Sequence, residues 1–323
     1  MKQFICTTVA VLFLFCYGKS QAVYELTDRK NIVFARNLKD WQNQPVDSLL
    51  FDVYYPTSAM SNKKYPVYVS LHGGSFVTAT KQSVTEFSDE IADYGFIVIA
   101  PDYRVGYDNN GGEAACPVGD DSTGLQGAIY RAEQDANACV RYITNHAAEF
   151  NIDTSWIFLG GASAGGTLAL NMAYVTDSQA AIHYPNLVST WGKLQTTGNN
   201  EPFNYTIKGI CPMWGAAPAW DSLINKKSAI STILFKGGKD TNVPDSVGYY
   251  LNCPYNTKVR SGSGIYNVMR ALGKPCVYHY QTYAGHSAYD NDFCVKNIAC
   301  FFNALISGAA YSGYYELYKS SCR

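Results

Sequence analysis

Ser163 stands among residues that have almost no side chain, in the stretch GGASAGG at residues 160–166. Gly161, Ser163 and Gly165 fit the pattern G-x-S-x-G, which composition alone would produce roughly 0.1 times in a chain of this size. An apolar run precedes the motif and a helical pattern follows it, as a nucleophile elbow requires. The helix N-terminus behind the serine favours developing negative charge. The motif predicts a nucleophilic serine; the alternative is a plain glycine-rich turn that packs a helix on a strand.

A serine hydroxyl needs a base to become a good nucleophile, and the candidates are the histidines of the chain. His286, in TYAGHSAYD, follows the last predicted strand at a strand-to-helix loop, from which an imidazole can reach Ser163. His279 lies within a strand and is the alternative base. His146 falls late in a long helix, and His183 falls in a predicted irregular loop. We therefore predict His286 as the base.

The base in turn needs a carboxylate that fixes its tautomer and stabilises its cation. Asp240 follows the apolar run TILFKGG, just beyond the end of a predicted strand. The order Ser163, Asp240, His286 along the chain is the order expected of a nucleophile-elbow fold. We predict Asp240 as the acid, with Asp245 and Asp221 as the alternatives.

The stretch SLHGGSF at residues 70–76 ends another predicted strand with two glycines. Glycines allow backbone N–H groups to approach the oxyanion of a tetrahedral intermediate. The sequence predicts an oxyanion hole made of the N–H groups of Gly74, Ser75 and Ala164, with an ordinary Gly-Gly turn as the alternative. His72 is interpreted as an orienting or structural residue.

The elements that must position these residues are short apolar strands alternating with helices. Several runs are apolar without alternation, which indicates strands covered on both faces. The predicted strands are 49–55, 65–71, 96–100, 156–160, 207–213, 231–235 and 277–283. The predicted helices are 129–150, 164–175 and 290–306. The pattern predicts an α/β fold with a doubly wound, mostly parallel sheet of about eight strands.

The first 22 residues have the form of a secretory signal peptide. Lys2 supplies the positive region, residues 4–17 form an apolar core, and the small residues before position 23 predict cleavage after Ala22. A membrane anchor, or a lipoprotein box at Cys16, is the alternative. The sequence predicts a secreted or periplasmic protein.

The mature chain, residues 23–323, reads as one domain with no repeat or low-complexity linker. Three long connections, 104–127, 177–206 and 251–275, are candidate cleft walls, and the segment near 177–206 is a candidate lid or cap. The formal net charge of -1 gives no basic field for nucleic acid or anionic lipid. No stretch of the mature chain is long and apolar enough for a stable membrane span.

Eight cysteines remain after residue 22, and an even number in an exported protein favours disulfides. Cys294 and Cys300 share one predicted helix, so each is expected to bond elsewhere, and Cys211 also fits a buried thiol. No spacing among the cysteines suits zinc. The connectivity stays open among Cys116, Cys139, Cys211, Cys253, Cys276, Cys294, Cys300 and Cys322.

The segments HGGSF, APDYR, NIDTSWIFLGGASAGG, GGKDTNVP and AGHS together resemble the α/β-hydrolase fold. More narrowly they are similar to secreted carboxylesterases and to the hormone-sensitive-lipase or feruloyl/acetyl-xylan esterase branch, over residues 45–306. The resemblance implies that Ser163 is the nucleophile, His286 the base and Asp240 the acid. Ser75 departs from the third glycine common in the oxyanion motif of this family.

The expected function is hydrolysis of carboxylic esters through an acyl-enzyme intermediate. This chemistry needs no metal and no organic cofactor, and its partner is a small-molecule or polymer-borne ester. The acyl and alcohol groups and the oligomeric state are not predicted. The alternatives are a serine peptidase of the same fold and a non-catalytic binding module on it.

Overall fold

The computed structural model describes residues 23–108 and 124–322, so the predicted signal peptide and Cys116 lie outside the described residues. The strands are Arg29–Lys39 (β1), Pro45–Tyr54 (β2), Tyr65–Leu71 (β3), Ile97–Pro101 (β4), Ile152–Ala162 (β5), Ile207–Met213 (β6), Ala216–Pro218 (β7), Ser231–Gly237 (β8), Val247–Tyr249 (β9), Lys258–Ser261 (β10), Cys276–Gln281 (β11) and Gly313–Glu316 (β12). The helices are Thr85–Asp93 (α1), Leu125–Asn145 (α2), Ala147–Phe150 (α3), Ala164–Tyr174 (α4), Asp177–His183 (α5), Pro185–Trp191 (α6), Gly262–Ala271 (α7) and Asn291–Ile306 (α8).

A nine-stranded sheet in the order β1-β2-β4-β3-β5-β6-β8-β11-β12 forms the centre of the molecule. Strand β2 pairs antiparallel with both β1 and β4, and the strands from β4 to β12 in this order pair in parallel. The predicted α/β class and mostly parallel sheet are confirmed. Strands β7, β10 and β9 form a second, three-stranded antiparallel sheet.

Both faces of the central strands are covered, as their apolar runs predict. Val67, Val69 and Leu71 point into one core, which contains residues of α2 and α4. Tyr68 points to the opposite face, where the second core contains residues of α1 and α8. This alternation follows from the two-residue period of a strand, and it fixes the sheet rigidly between two helical layers.

Helix α2 is buried on nearly all sides, although its sequence predicts an amphipathic helix. The candidate lid segment explains the difference, because its last part packs along the outer face of α2. The buried Arg141 guanidinium donates to the carbonyl oxygens of Gln195, Thr197 and Glu201 at 2.8, 2.7 and 3.0 Å. These contacts place residues 195–201 against α2; a lid function for the segment stays a prediction.

The cysteines divide into bonded and free groups. Cys300 of α8 is bonded to Cys322, and Cys253 is also disulfide-bonded. Cys294 and Cys300 share α8, as predicted, but the expectation that both are bonded was wrong for Cys294, whose thiol is buried in the core beside α1. The free thiols are all buried: Cys139, Cys211, Cys276 and Cys294. In residues 23–108 and 124–322, no helix is long and apolar enough to cross a membrane.

Candidate active site

Ser163 lies in the tight turn between β5 and α4. Its backbone has φ 56° and ψ -114°, a conformation that a residue with a Cβ adopts only under strain. The Ser163 N–H donates to the Met213 carbonyl oxygen at 2.9 Å, which ties the turn to the neighbouring strand. The strand, the sharp turn and the helix of a nucleophile elbow are thus all present.

The glycines of the motif are required by the close approach of this turn to the end of β3. A Cβ added at Gly161 or Gly165 would collide with the carbonyl oxygen of Leu71. Any larger residue would push the turn away from the sheet. The glycines therefore hold Ser163 at the carboxyl end of the strands.

The structure brings Ser163, His286 and Asp240 into one hydrogen-bonded chain. His286 Nε2 lies 2.8 Å from Ser163 Oγ, and His286 Nδ1 lies 2.9 Å from Asp240 Oδ2. Because a carboxylate only accepts hydrogen bonds, the proton of the neutral imidazole is on Nδ1 and Nε2 is left to accept the serine proton. The arrangement suits removal of the Ser163 proton during nucleophilic attack.

The Asp240 carboxylate is buried, and both of its oxygens accept hydrogen bonds. Oδ1 accepts from the N–H groups of Asn242 and Val243 at 2.9 and 3.1 Å, and Oδ2 accepts from His286 and from the ammonium of Lys236. Burial opposes ionisation, but the hydrogen bonds from His286 and Lys236 and the Lys236 charge outweigh it and lower the pKa of Asp240 to about 2. Asp240 is therefore an anion at neutral pH.

The alternative histidines have other partners. His279 is buried beside Ser321, 3.1 Å from Nε2 to Oγ, and burial lowers its pKa to about 3. His183 ends α5 instead of lying in an irregular loop, and its ring stacks on Trp220 with centroids 3.7 Å apart. In the described part of the chain, only His286 among the histidines bonds to Ser163.

The alternative carboxylates lie outside the hydrogen-bonded chain. Asp245 accepts from the hydroxyl of Tyr278 and from the N–H of Ser263. Asp221 is exposed to solvent. Among the residues that the structure describes, Asp240 is the carboxylate that meets His286.

The predicted oxyanion residues lie on the loop after β3 and at the start of α4. Within residues 23–108 and 124–322, the N–H groups of Gly74, Ser75 and Ala164 donate to no protein acceptor. Ser75 and Ala164 border the same cavity as Ser163, whereas Gly74 borders a neighbouring cavity. The positions leave these N–H groups free to bind an oxyanion, and their catalytic role stays a prediction.

His72 is buried below the oxyanion loop and is well placed to orient it. Its ring stacks on Tyr103 with centroids 3.9 Å apart, and Nδ1 lies 2.8 Å from the Gly73 carbonyl oxygen. Because that oxygen only accepts, Nδ1 bears the proton. Burial lowers the pKa of His72, so the ring is neutral and suited to a structural role.

A cavity of about 60 Å³ opens beside Ser163. Its lining is largely apolar and comes from the oxyanion loop, the elbow, α2 and the segment after Asp240: Ser75, Phe76, Tyr107, Leu125, Ile129, Ser163, Ala164, Thr167, Asn242, Val243, Tyr250 and Leu251. The sequence did not identify most of these residues, since their apolar side chains look like core. In the described ranges, no cluster of three His, Cys, Asp or Glu side chains is suited to a metal ion.

Gly74→Ala is expected to damage the oxyanion loop selectively. Gly74 has φ 102°, and an added Cβ would collide with the Thr78 carbonyl oxygen, so the loop must shift. We expect a loss of about 10²-fold in kcat for an activated ester, the effect of losing one oxyanion donor. Gly95→Ala is the matched control, because Gly95 has φ 95° but open space around its Cα. Equal activity in both variants would contradict the placement of this loop in the site.

The chain is similar to one family model and to several known esterases. The BD-FAE family model matches residues 126–221, which include Ser163. Carboxylesterase 3 of Homo sapiens is 28% identical over 210 residues, 62% of this chain and 34% of the human protein. Carboxylesterase 20 of Arabidopsis thaliana is 31% identical over 142 residues, 42% of this chain and 39% of that protein. The chain thus spans only about a third of the length of these two proteins.

Solved structures share the fold over nearly the whole chain. The apo form of Thermogutta terrifontis esterase 2 has a TM-score of 0.57 and 18% identity, covering 87% of this chain and 96% of that one. A truncated carbohydrate esterase from gut microbiota has a TM-score of 0.60 and 17% identity, covering 88% and 97%. The chain has the α/β-hydrolase fold. Its resemblance to serine esterases of that fold, which the motifs indicated, is confirmed.

Proposed function

We propose that this protein is a carboxylic ester hydrolase with Ser163 as nucleophile, His286 as base and Asp240 as the carboxylate behind it. The hydrogen-bonded chain from Asp240 through His286 to Ser163 is the observation that supports the proposal most directly. The similarity to carboxylesterases supports the choice of ester over other acyl substrates.

In the proposed mechanism, Ser163 Oγ attacks the ester carbonyl carbon while His286 Nε2 takes the hydroxyl proton. The carbonyl oxygen becomes an oxyanion, which the N–H groups of Ser75 and Ala164 stabilise, together with that of Gly74. The C–O bond to the alcohol then breaks, and the alcohol leaves with the proton from His286. Water attacks the acyl-enzyme in the same way, which releases the acid and restores Ser163.

The cavity beside Ser163 is largely apolar, which suits the carbon chain of an acyl group. Thermogutta terrifontis esterase 2, which shares the fold, has been solved with propionate and with butyrate bound. We propose that acetyl to butyryl esters are better substrates than long-chain esters.

Initial rates on p-nitrophenyl acetate, butyrate and decanoate test this function. The proposal predicts that nitrophenol is released with kcat/KM at least about tenfold higher for the two short esters than for the decanoate. A factor of ten corresponds to about 1.4 kcal/mol of transition-state stabilisation that the long chain would lose. No hydrolysis above the uncatalysed rate by the folded protein would refute esterase activity. A decanoate preference would refute the short-acyl assignment alone. Faster cleavage of peptide nitroanilides would favour the peptidase alternative.

We also propose that the mature protein is secreted or periplasmic and begins at residue 23. The signal-like segment at residues 1–22 and the bonded pair Cys300–Cys322 support this, because disulfides persist in oxidising compartments. Intact-mass analysis of protein exported from a bacterial host tests both points. We expect an N-terminus at Val23 and a Cys300–Cys322 linked peptide. Residues 1–22 still attached to the exported protein would contradict the proposal. So would alkylation of Cys322 before any reductant is added, because a bonded cysteine does not react.

A further inference from the structure

Lys236 is a buried lysine in β8, whose other residues are largely apolar. Its side chain is only 1% exposed, and lysine is almost never fully buried unless it is paired. The ammonium donates to Asp240 Oδ2 and, at 2.6 Å, to the Val243 carbonyl oxygen. The cation therefore lies directly behind the proposed catalytic carboxylate.

Lys236 and His286 share one oxygen atom of Asp240. Both Lys236 Nζ and His286 Nδ1 bond to Oδ2, whereas the turn N–H groups occupy Oδ1. Val243 donates its N–H to Asp240 and accepts from Lys236, so the turn is closed around the ion pair. The negative charge of Asp240, which would stabilise a His286 imidazolium, is thus already balanced by the Lys236 ammonium.

We propose that Lys236 is a positioning residue that holds the Asp240 carboxylate and sets the pH range of the site by disfavouring a second cation at His286. The proposal rests on the proposed function only for its kinetic readout. An anion alone beside His286 would favour the imidazolium, whereas the Lys236–Asp240 pair has no net charge. Removing the Lys236 charge is therefore expected to favour the imidazolium form of His286, because Asp240 is then an unpaired anion beside it.

Two other charged side chains, Asp245 and Lys239, lie near this pair. Asp245 favours the charged form of Lys236, and its own carboxylate is bonded to the Tyr278 hydroxyl. Lys239 is exposed, with its ammonium 5.8 Å from the Tyr283 ring centroid. Burial lowers the pKa of Lys236 and Asp240 opposes that shift through its hydrogen bond and its charge. Among the described residues, Lys236 is thus the cation that is bonded to Asp240 beside His286.

A titration of His286 by NMR tests the proposal without any substrate. The Cε1–H signal is assigned with His286→Asn and followed against pH in the wild type, Lys236→Gln and Lys236→Arg. We expect the Gln variant to titrate about 1 to 3 pH units higher, the size of shift that a close charge produces. Lys236→Arg keeps the charge and is expected to stay near the wild type. The acid limb of kcat/KM is expected to move with the titration.

If the His286 titration midpoint is the same in Lys236→Gln as in the wild type, the proposal is overturned, even if the activity of the variant falls. Lower activity without a shifted midpoint is the result expected of a residue that only supports the turn. If the Gln variant does not fold, the wild type supplies a second test. The ¹³Cε and ¹⁵Nζ signals of Lys236 are then followed over the pH range in which His286 titrates. A charged ammonium throughout that range supports the proposal, and a neutral amine within it refutes it. A wild-type protein without esterase activity, together with the expected shift in the variant, would count against the proposed function alone.

Discussion

Replacing Ser163 with alanine is expected to lower kcat/KM for p-nitrophenyl acetate by at least about 10⁴-fold, since alanine has no hydroxyl to form the acyl-enzyme. The hydroxyl is the atom that His286 Nε2 meets at 2.8 Å, and alanine leaves nothing at that position to attack. Steady-state kinetics and an acyl-enzyme burst assay measure the loss. The backbone of the elbow is expected to persist, because its glycines and the bond from the N–H of residue 163 to Met213 are unchanged.

Ser307→Ala is the matched control for this variant. Ser307 is exposed just after α8, and its hydroxyl donates to the Ala304 carbonyl oxygen. Its removal is expected to leave kcat/KM within about twofold of the wild type, because surface changes outside special contacts alter stability little. Ester turnover by Ser163→Ala at more than a few per cent of the wild-type rate, with a native circular dichroism spectrum, would refute the nucleophile assignment.

Replacing His286 with alanine is expected to cost about 10⁴- to 10⁶-fold in kcat/KM, close to the loss in Ser163→Ala. The imidazole takes the serine proton and returns it to the alcohol, so both half-reactions lose their proton carrier. The double variant Ser163→Ala/His286→Ala is expected to be no less active than either single variant, because residues that act as one unit are not additive. Kinetic measurement of all three variants under one condition gives this comparison.

His146→Ala is the control for loss of an imidazole. His146 follows α2, stacks on Tyr142 and lies 3.1 Å from Glu201 Oε1, outside the hydrogen-bonded chain of the site. Its replacement is expected to change kcat/KM by less than about threefold. A loss in the double variant equal to the product of the two single losses would show that Ser163 and His286 act independently, contrary to the proposal.

The parts of the fold that the sequence predicted are those in which local pattern and tertiary setting agree. The run at 207–213 and the helix beginning at 164 are predicted nearly to the residue, because a strand covered on both faces has to be apolar throughout. Strand β1 was missed, since its sequence RKNIVFARNLK has only the short apolar run IVFA between polar residues and lies at a sheet edge. Strand β12 has only four residues and pairs with β11 through the tertiary fold alone.

The site was predictable to the extent that chemistry dictates residue type. A nucleophile, a base and an acid must be particular side chains, and glycines must lie where the elbow meets β3. Lys236 carries a signal too, as a lysine in the apolar run STILFKG, but no local pattern says that it meets Asp240. The cavity lining depends on residues far apart in sequence, such as Ile129 and Tyr250, and only the folded chain brings them together.

Reaction with a fluorophosphonate probe tests most directly whether His286 makes Ser163 nucleophilic. The folded protein is treated with the probe and digested, and the adduct is located by mass spectrometry, with His286→Ala treated in parallel. The account predicts one adduct, on Ser163, and labelling at least about 10²-fold slower in the His286 variant, the lower bound for a lost general base. An adduct on another residue, no adduct at all, or equal labelling of the two proteins would contradict it.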